Sequence, residues 1–277
     1  MAAPNTPAAT PGIRKQSREV RDLKQQGQTA LTWGLANPVS EGAVVGVGLL
    51  LRERLADTAT AGGAGAAAEL AAQVLDRTTT KVVAQRTVAC TRGCTYCCHS
   101  VVSVSAPEVF RIAAVLARGD KTAADAVLAR AKTRDGVKLE GLLRHQLACP
   151  LLVDDDCSVH AVRPMGCMQY FSISVEDCKA HSEGKLATAP FVGAAANVGL
   201  ITRSLLLSAA RSLGLAAETY ELASALTIAM ADGEAERRWL AGEDVLARAT
   251  KIPRPPNMLS SVDRWSGMLT ALSQDGA

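Results

Sequence analysis

Residues 89–100 read Ala89-Cys90-Thr91-Arg92-Gly93-Cys94-Thr95-Tyr96-Cys97-Cys98-His99-Ser100. Cysteines recur in this stretch as C-x3-C-x2-CC, and Gly93 frees the backbone in the wider gap, as a tight chelate loop requires. Thiolates are soft donors that select zinc, copper(I) or iron–sulfur clusters over magnesium or calcium. A tetrahedral zinc ion and a cubane cluster each take four of them. The stretch therefore reads as an irregular metal-binding loop, and the rest of the chain is read by how it supports that loop.

Four more cysteines follow at wider gaps: Cys149, Cys157, Cys167 and Cys178. All 8 cysteines of the 277 residues lie between Cys90 and Cys178. Cysteines that merely fill a core would be scattered along the chain, so the expected metal ligands are Cys90, Cys94, Cys97, Cys98, Cys149, Cys157, Cys167 and Cys178. They suffice for one four-thiolate site with four to spare, or for two such sites. Cys97 and Cys98 are adjacent, so their side chains tend to diverge. That arrangement is awkward around a single ion and suggests two nearby sites or a polynuclear cluster. Reduced core cysteines and a disulfide framework are the competing readings. Tight spacing in a polar segment weighs against the first, and a reducing compartment against the second.

Outward from the loop the pattern is helical. Ser105-Ala106-Pro107-Glu108 is a capping-box sequence. Behind it Val109, Ile112, Ala113 and Leu116 mark one face of a helix ending near Gly119. A second helix is expected from Asp120 and a third near Asp135. Upstream, residues 41–86 look helical with a break at Gly62–Gly65. Downstream of Lys185, Val198, Ile201, Leu205 and Ala209 form one stripe, and Leu222, Ala225, Leu226 and Ala229 another. The only strand signal is a small hairpin. Pro150–Val153 would run out, Asp154–Asp156 would turn, and Cys157–His160 would return.

The fold class expected is mainly α: a helical domain with a small irregular cysteine-rich metal-binding insert containing a short β-hairpin. Aromatic residues are only 3% of the chain, so the core must be built from Ala, Leu and Val, which suits closely packed helices. The boundaries read as a disordered tail at 1–16, N-terminal helices at 17–87 and the cysteine region at 88–182. C-terminal helices at 183–252 pack on it, and a C-terminal extension at 253–277 follows the Pro-rich stretch Pro253–Pro256.

A net charge of +3 is too small to imply nucleic acid or an anionic membrane as partner. The longest apolar run, Ala43–Leu51, falls short of the roughly 20 residues of a membrane span. Residues 1–16 do not resemble a signal peptide, so the expected compartment is the cytoplasm. Around the loop, Arg92 and Arg163 are candidates to offset thiolate charge. His99 could replace a cysteine but reads more readily as a residue behind the ligands. His145, His160 and His181 are weaker ligand candidates, and Asp154–Asp156 reads as a solvated turn. Tyr96, Tyr170 and Phe171 suit either a shield for a cluster or core packing. No nucleophile–base motif, phosphate loop or SAM fingerprint is present, so a substrate or protein partner is left open.

Several irregular spacings agree in order with a known family. C-x3-C-x2-CC is followed by Cys149-Pro150-Leu151, Cys157-Ser158-Val159-His160, Arg163-Pro164-Met165-Gly166-Cys167 and Glu176-Asp177-Cys178. This arrangement, over about residues 88–180, resembles the YkgJ-type cysteine-cluster family, described as a zinc- or iron-chelating domain. The chain departs from the commonest pattern at His160, where an aromatic or large apolar residue is more usual. The resemblance implies a metal site. A similar cluster in flagellin lysine N-methylases implies SAM-linked methylation as one chemistry. The cofactor expected is an iron–sulfur cluster, 4Fe-4S in type, with zinc as the alternative.

Overall fold

The structure, a computed structural model, describes residues 17–57, 62–91, 93–134, 136–145 and 147–274, the side chains of Arg144 and His145 excepted. The tail read at 1–16 lies outside these residues, as do Arg92 and Asp135. The chain is mainly α-helical, as its periodicity predicts.

Helices α1 (Arg18–Trp33) and α2 (Glu41–Ala56) open the fold. The hydroxyls of Ser17 and Ser40 cap them by accepting from Val20 N and Ala43 N. The two cross where both lack a side chain. A Cβ on Gly27 would stand 2.3 Å from the carbonyl carbon of Gly46, and one on Gly46 would stand 2.0 Å from the Leu23 oxygen. Helix α3 (Gly63–Val83) follows the expected glycine break, with Gly62 in the left-handed region at φ +84. It packs on α4 (Ala106–Arg118) and on α9 (Gly193–Ser212), and α9 also lies against α2. By length and composition α9 could cross a membrane, but it is a core helix here, with most of its apolar stretch buried. The interior is Ala- and Leu-rich, as composition requires. Phe110 and Trp239 meet within it, their ring centroids 5.9 Å apart.

The expected capping box of α4 is present, and its predicted face, Val109, Ile112, Ala113 and Leu116, is buried. Helix α5 (Lys121–Lys132) starts where predicted, with Asp120 accepting from Ala123 N. The third helix, α6, is placed differently: it spans Leu139–His145 rather than starting near Asp135. Gly136 at φ +75 takes the chain through a turn before it.

Two strand features differ from expectation. The hairpin exists but is shorter, pairing β2 (Leu152–Val153) with β3 (Asp156–Cys157). Asp154 and Asp155, at φ 48 and 59, make a tight two-residue turn, so pairing already begins at Asp156. His160 consequently leaves the strand and opens a 3-10 turn, His160–Val162. A second sheet was not visible in the sequence: β1 (Ser103–Ser105) pairs antiparallel with β4 (Thr219–Glu221). It fastens the segment just after the cysteine loop to the C-terminal half.

Two short helices of the cysteine region, α7 (Met165–Met168) and α8 (Val175–Ser182), precede α9. Helix α10 (Leu222–Ala231) carries the second predicted stripe, with Leu222, Ala225, Leu226 and Ala229 all buried. Helix α11 (Ala235–Leu240) follows, and Pro253–Pro256 leads into α12 (Pro256–Gln274), which packs on α9 and α2.

Candidate metal centre

The cysteine loop is tied down at its start. Ala89 N–H donates to Ser172 O at 2.7 Å, and Ser172 N–H donates to the Cys90 sulfur at 3.2 Å. Gly93 sits at φ +82 with open space around it, so its role is the left-handed turn between Cys90 and Cys94. Tyr96–His99 then form a 3-10 turn in which Cys98 N–H donates to Thr95 O at 2.8 Å. Helix α8 packs on this turn and brings Cys178 to it. Ser174 caps α8, its hydroxyl accepting from Asp177 N.

The later cysteines are brought back to the same turn. Cys149 N–H donates to Cys98 O at 2.7 Å. The chain just before Cys149 is clamped by Arg134, whose Nη2 donates to Leu147 O at 2.7 Å and to Ala148 O at 2.5 Å. Its Nη1 meets Glu221 Oε1 at 3.0 Å, with the two side chains only 4% and 0% exposed. Glu221 also caps α10, accepting from Ser224 N at 2.7 Å. Cys157 rides on β3. Cys167 rides on α7, whose first residue, Met165, donates its N–H to buried Glu108 at 2.9 Å. The same carboxylate accepts from Ser105 N–H and O–H, so one residue closes the α4 cap and docks the Cys167 helix. Sequence reasoning saw Glu108 only as a cap, and it missed the Arg134–Glu221 pair, which unites residues far apart in the chain.

The sulfurs fall into two neighbourhoods. Cys90 lies in the electrostatic field of Cys94, Cys97 and Cys178. Cys167 lies in that of Cys149, Cys97 and Cys157, and Cys157 acts on Cys149. Cys97 reaches both sets and is hydrogen-bonded to the Cys98 sulfur. The outer set includes the exposed Cys90; the inner set includes buried Cys149. The Cys167 sulfur also lies deep, although part of its residue reaches the surface.

Burial pushes up the thiols of Cys90 and Cys157, raises Cys149 to about 11, and raises Cys167 further. Cys97 is raised well above the ordinary thiol value by its bond with Cys98, and by burial second. Arg163 opposes the shift at Cys97, Cys157 and Cys167, which is the charge-balancing place expected of it. Backbone N–H groups also face sulfur: Ser172 at Cys90, Leu151 at Cys149 and Val159 at Cys157. Such donors stabilise negative sulfur and tune a bound metal.

Among the described residues no three Cys, His, Asp or Glu side chains converge closely enough to hold an ion. The thiols are gathered but not closed on one point. Protonated sulfurs gain little by converging, and metal binding is what displaces their protons and draws ligands in. Soft donors, sulfur-directed N–H groups and an adjacent guanidinium make this a donor set that fits zinc or iron.

Three of the histidines make other polar contacts. His99 Nδ1 lies 3.3 Å from Thr95 O, and His181 Nδ1 lies 3.0 Å from Leu186 O. His160 Nε2 meets Arg163 Nη1 on the surface. The His145 side chain lies outside the described residues. Asp154 and Asp155 are the exposed turn, as expected. Tyr96 and Phe171 are half-buried, while Tyr170 is exposed and packs edge-on against Phe191, centroids 5.3 Å apart.

Residues 89–186 match the model of the CxxCxxCC family, described as a zinc- or iron-chelating domain. The segment is thus similar to that family. The match covers the loop, the hairpin, α7 and α8, and therefore all eight cysteines. It agrees with the resemblance drawn from the spacings, and it supports metal chelation as the property of the region. No curated protein and no solved structure matches the chain.

Proposed function

We propose that the protein is a metal-binding protein whose cysteines hold iron–sulfur clusters of the 4Fe-4S type in two linked sets. The outer set is Cys90, Cys94, Cys97 and Cys178; the inner set is Cys98, Cys149, Cys157 and Cys167. The observation that carries this reading is the double neighbourhood of sulfurs joined at adjacent Cys97 and Cys98. In two-cluster ferredoxins a single cysteine run likewise feeds two clusters, its fourth cysteine ligating the other one. Bound clusters supply one-electron chemistry, for electron transfer or for SAM-linked modification of a substrate. The chain's own residues supply the rest: N–H groups from Ser172, Leu151 and Val159 and the charge of Arg163 stabilise thiolate sulfur. Reduced thiols belong in a reducing compartment, so the reading places the protein in the cytoplasm, without nucleic acid or membrane as partner.

Zinc is the second reading, because the family model that matches this region is described as zinc- or iron-chelating, and four thiols also complete a structural zinc ion. Anaerobic purification from cells given both metals, followed by absorption and elemental analysis, separates the two. Iron–sulfur loading is expected to give a brown sample with about four irons and matching sulfide per filled set. A colourless sample with about two zinc ions per chain supports the alternative. Absence of both metals under conditions that protect them defeats the assignment.

A further inference from the structure

Between α3, α4, the His160–Val162 turn and α7 lies a cavity of about 380 Å³. Its charged lining is Arg77, Arg111, Arg163, Glu69 and Asp76, with His160 beside them. We propose that this cavity binds a small oxyanionic ligand, through a carboxylate or phosphate group held by Arg111, Arg163 and Arg77.

Among the described residues none of these three arginines forms an ion pair with a carboxylate. Arg163 Nη1 meets His160, but its Nε is buried with no hydrogen-bond partner. Arg111 is half-buried and makes no hydrogen bond among the described residues. Glu108 and Glu69 act on Arg111 only through space. Glu108 is occupied by Ser105 and Met165, and Glu69 accepts from Gln73. Glu69, Asp76 and Arg77 are exposed on α3, and neither carboxylate forms an ion pair with these guanidinium groups. A partly desolvated guanidinium without a hydrogen-bonded anion is costly, and planar oxyanions match its fork of donors. The cavity volume falls within the range of small-molecule sites.

Arg163 also reaches Cys97, where the two sets meet, and the inner sulfurs Cys157 and Cys167. An oxyanion on Arg163 would thus lie beside the inner set, and it defines the class of substrate or effector that set would meet. Only this last step rests on the metal reading; binding of the anion does not.

The test is titration calorimetry on the full, metal-loaded chain at low salt, with inorganic phosphate and malonate as separate probes. At least one should bind, and their ranking tells phosphate from carboxylate. Arg111→Met should weaken the better probe about ten-fold or more. Arg77→Gln should weaken it less, roughly three-fold, and the control Arg86→Gln on the exposed loop before the cysteines should leave it unchanged. Metal content should be the same in all three variants. Failure of both probes to bind, or unchanged affinity in Arg111→Met, overturns the proposal. If Arg111→Met does not fold, Arg77→Gln decides, and unchanged affinity there has the same force. A wild-type chain that binds the anion but no metal breaks the metal reading alone; full metal with no anion binding breaks this one alone.

Discussion

The helical layer and the cysteine region are built on different physics. In the layer formed by α1–α4, α9 and α12, stability comes from apolar burial and close approach, as where Gly27 meets Gly46. The segment of residues 89–186 between those helices contains α4 and α5, which join the core, but its sulfur-bearing parts are short: two-residue strands, single turns, α7 and α8. Helix α8 has no buried residue at all. Those parts reach the core through Leu151, Val159 and Met165, and are otherwise held by individual polar contacts, Ser172 to Cys90, Glu108 to Met165 and Arg134 to Glu221. One region can fold on its own burial. The other contributes little core of its own beyond Leu151, Val159 and Met165, and a bound metal would add to its stability.

Metal removal is the largest test of that contrast. Chelation of the reduced chain, or Cys94→Ser, should loosen residues 89–100 and 147–182 while the helical layer persists. Hydrogen exchange should show protection falling by several kcal/mol in the sulfur-bearing parts, on the scale of structural metal sites, and little change in α2, α3 and α9. Uniform loss across the chain would erase the distinction between the regions, and full metal occupancy in Cys94→Ser would sink its assignment as a ligand.

The next effect in size concerns the buried ion pair. Glu221→Ala strands the Arg134 guanidinium in the interior and should cost about 3–5 kcal/mol in denaturant unfolding. Because Arg134 also holds the Leu147 and Ala148 carbonyls, metal should leave the inner set faster in this variant than in wild type. Destabilisation with unchanged metal release would make the pair a support of the helical layer only.

The smallest expected effect is a reversal of pH dependence. In the metal-free chain the Cys149 thiol is raised from the ordinary 9.0 to about 11 by burial. The unfolded chain then ionises first, so stability is intact below pH 9.0 and falls as pH rises toward about 11, by a few kcal/mol at most. With metal bound the thiols are already deprotonated, and acid destabilises instead by returning their protons. Parallel melting curves for the two forms across this range would contradict a thiolate–metal bond at Cys149.

How far the sequence could be read varies with the range of the interaction. The Ser105–Glu108 cap, the Asp120 cap and the stripes of α9 and α10 were legible because each is decided within a few residues. Strands β1 and β4 were not, since three-residue strands show no usable alternation and Ser103 pairs with Glu221 far along the chain. Helix α12 was passed over because the Pro-rich stretch before it reads as an end. The hairpin was found but overextended, because two adjacent aspartates in the left-handed region are rare enough not to be assumed.

The amino-acid sequence by itself determined the donor atoms, the looseness of the loop at Gly93 and the helical class of the surroundings. These are local properties of side-chain chemistry and periodicity. Only the tertiary structure decided which sulfurs are neighbours, which are buried, and that Arg163 faces both the inner set and a cavity. Those facts depend on Cys149 returning to Cys98, on Met165 docking at Glu108 and on Arg134 reaching Glu221. Each contact joins residues whose separation along the chain carries no signal of their closeness in space.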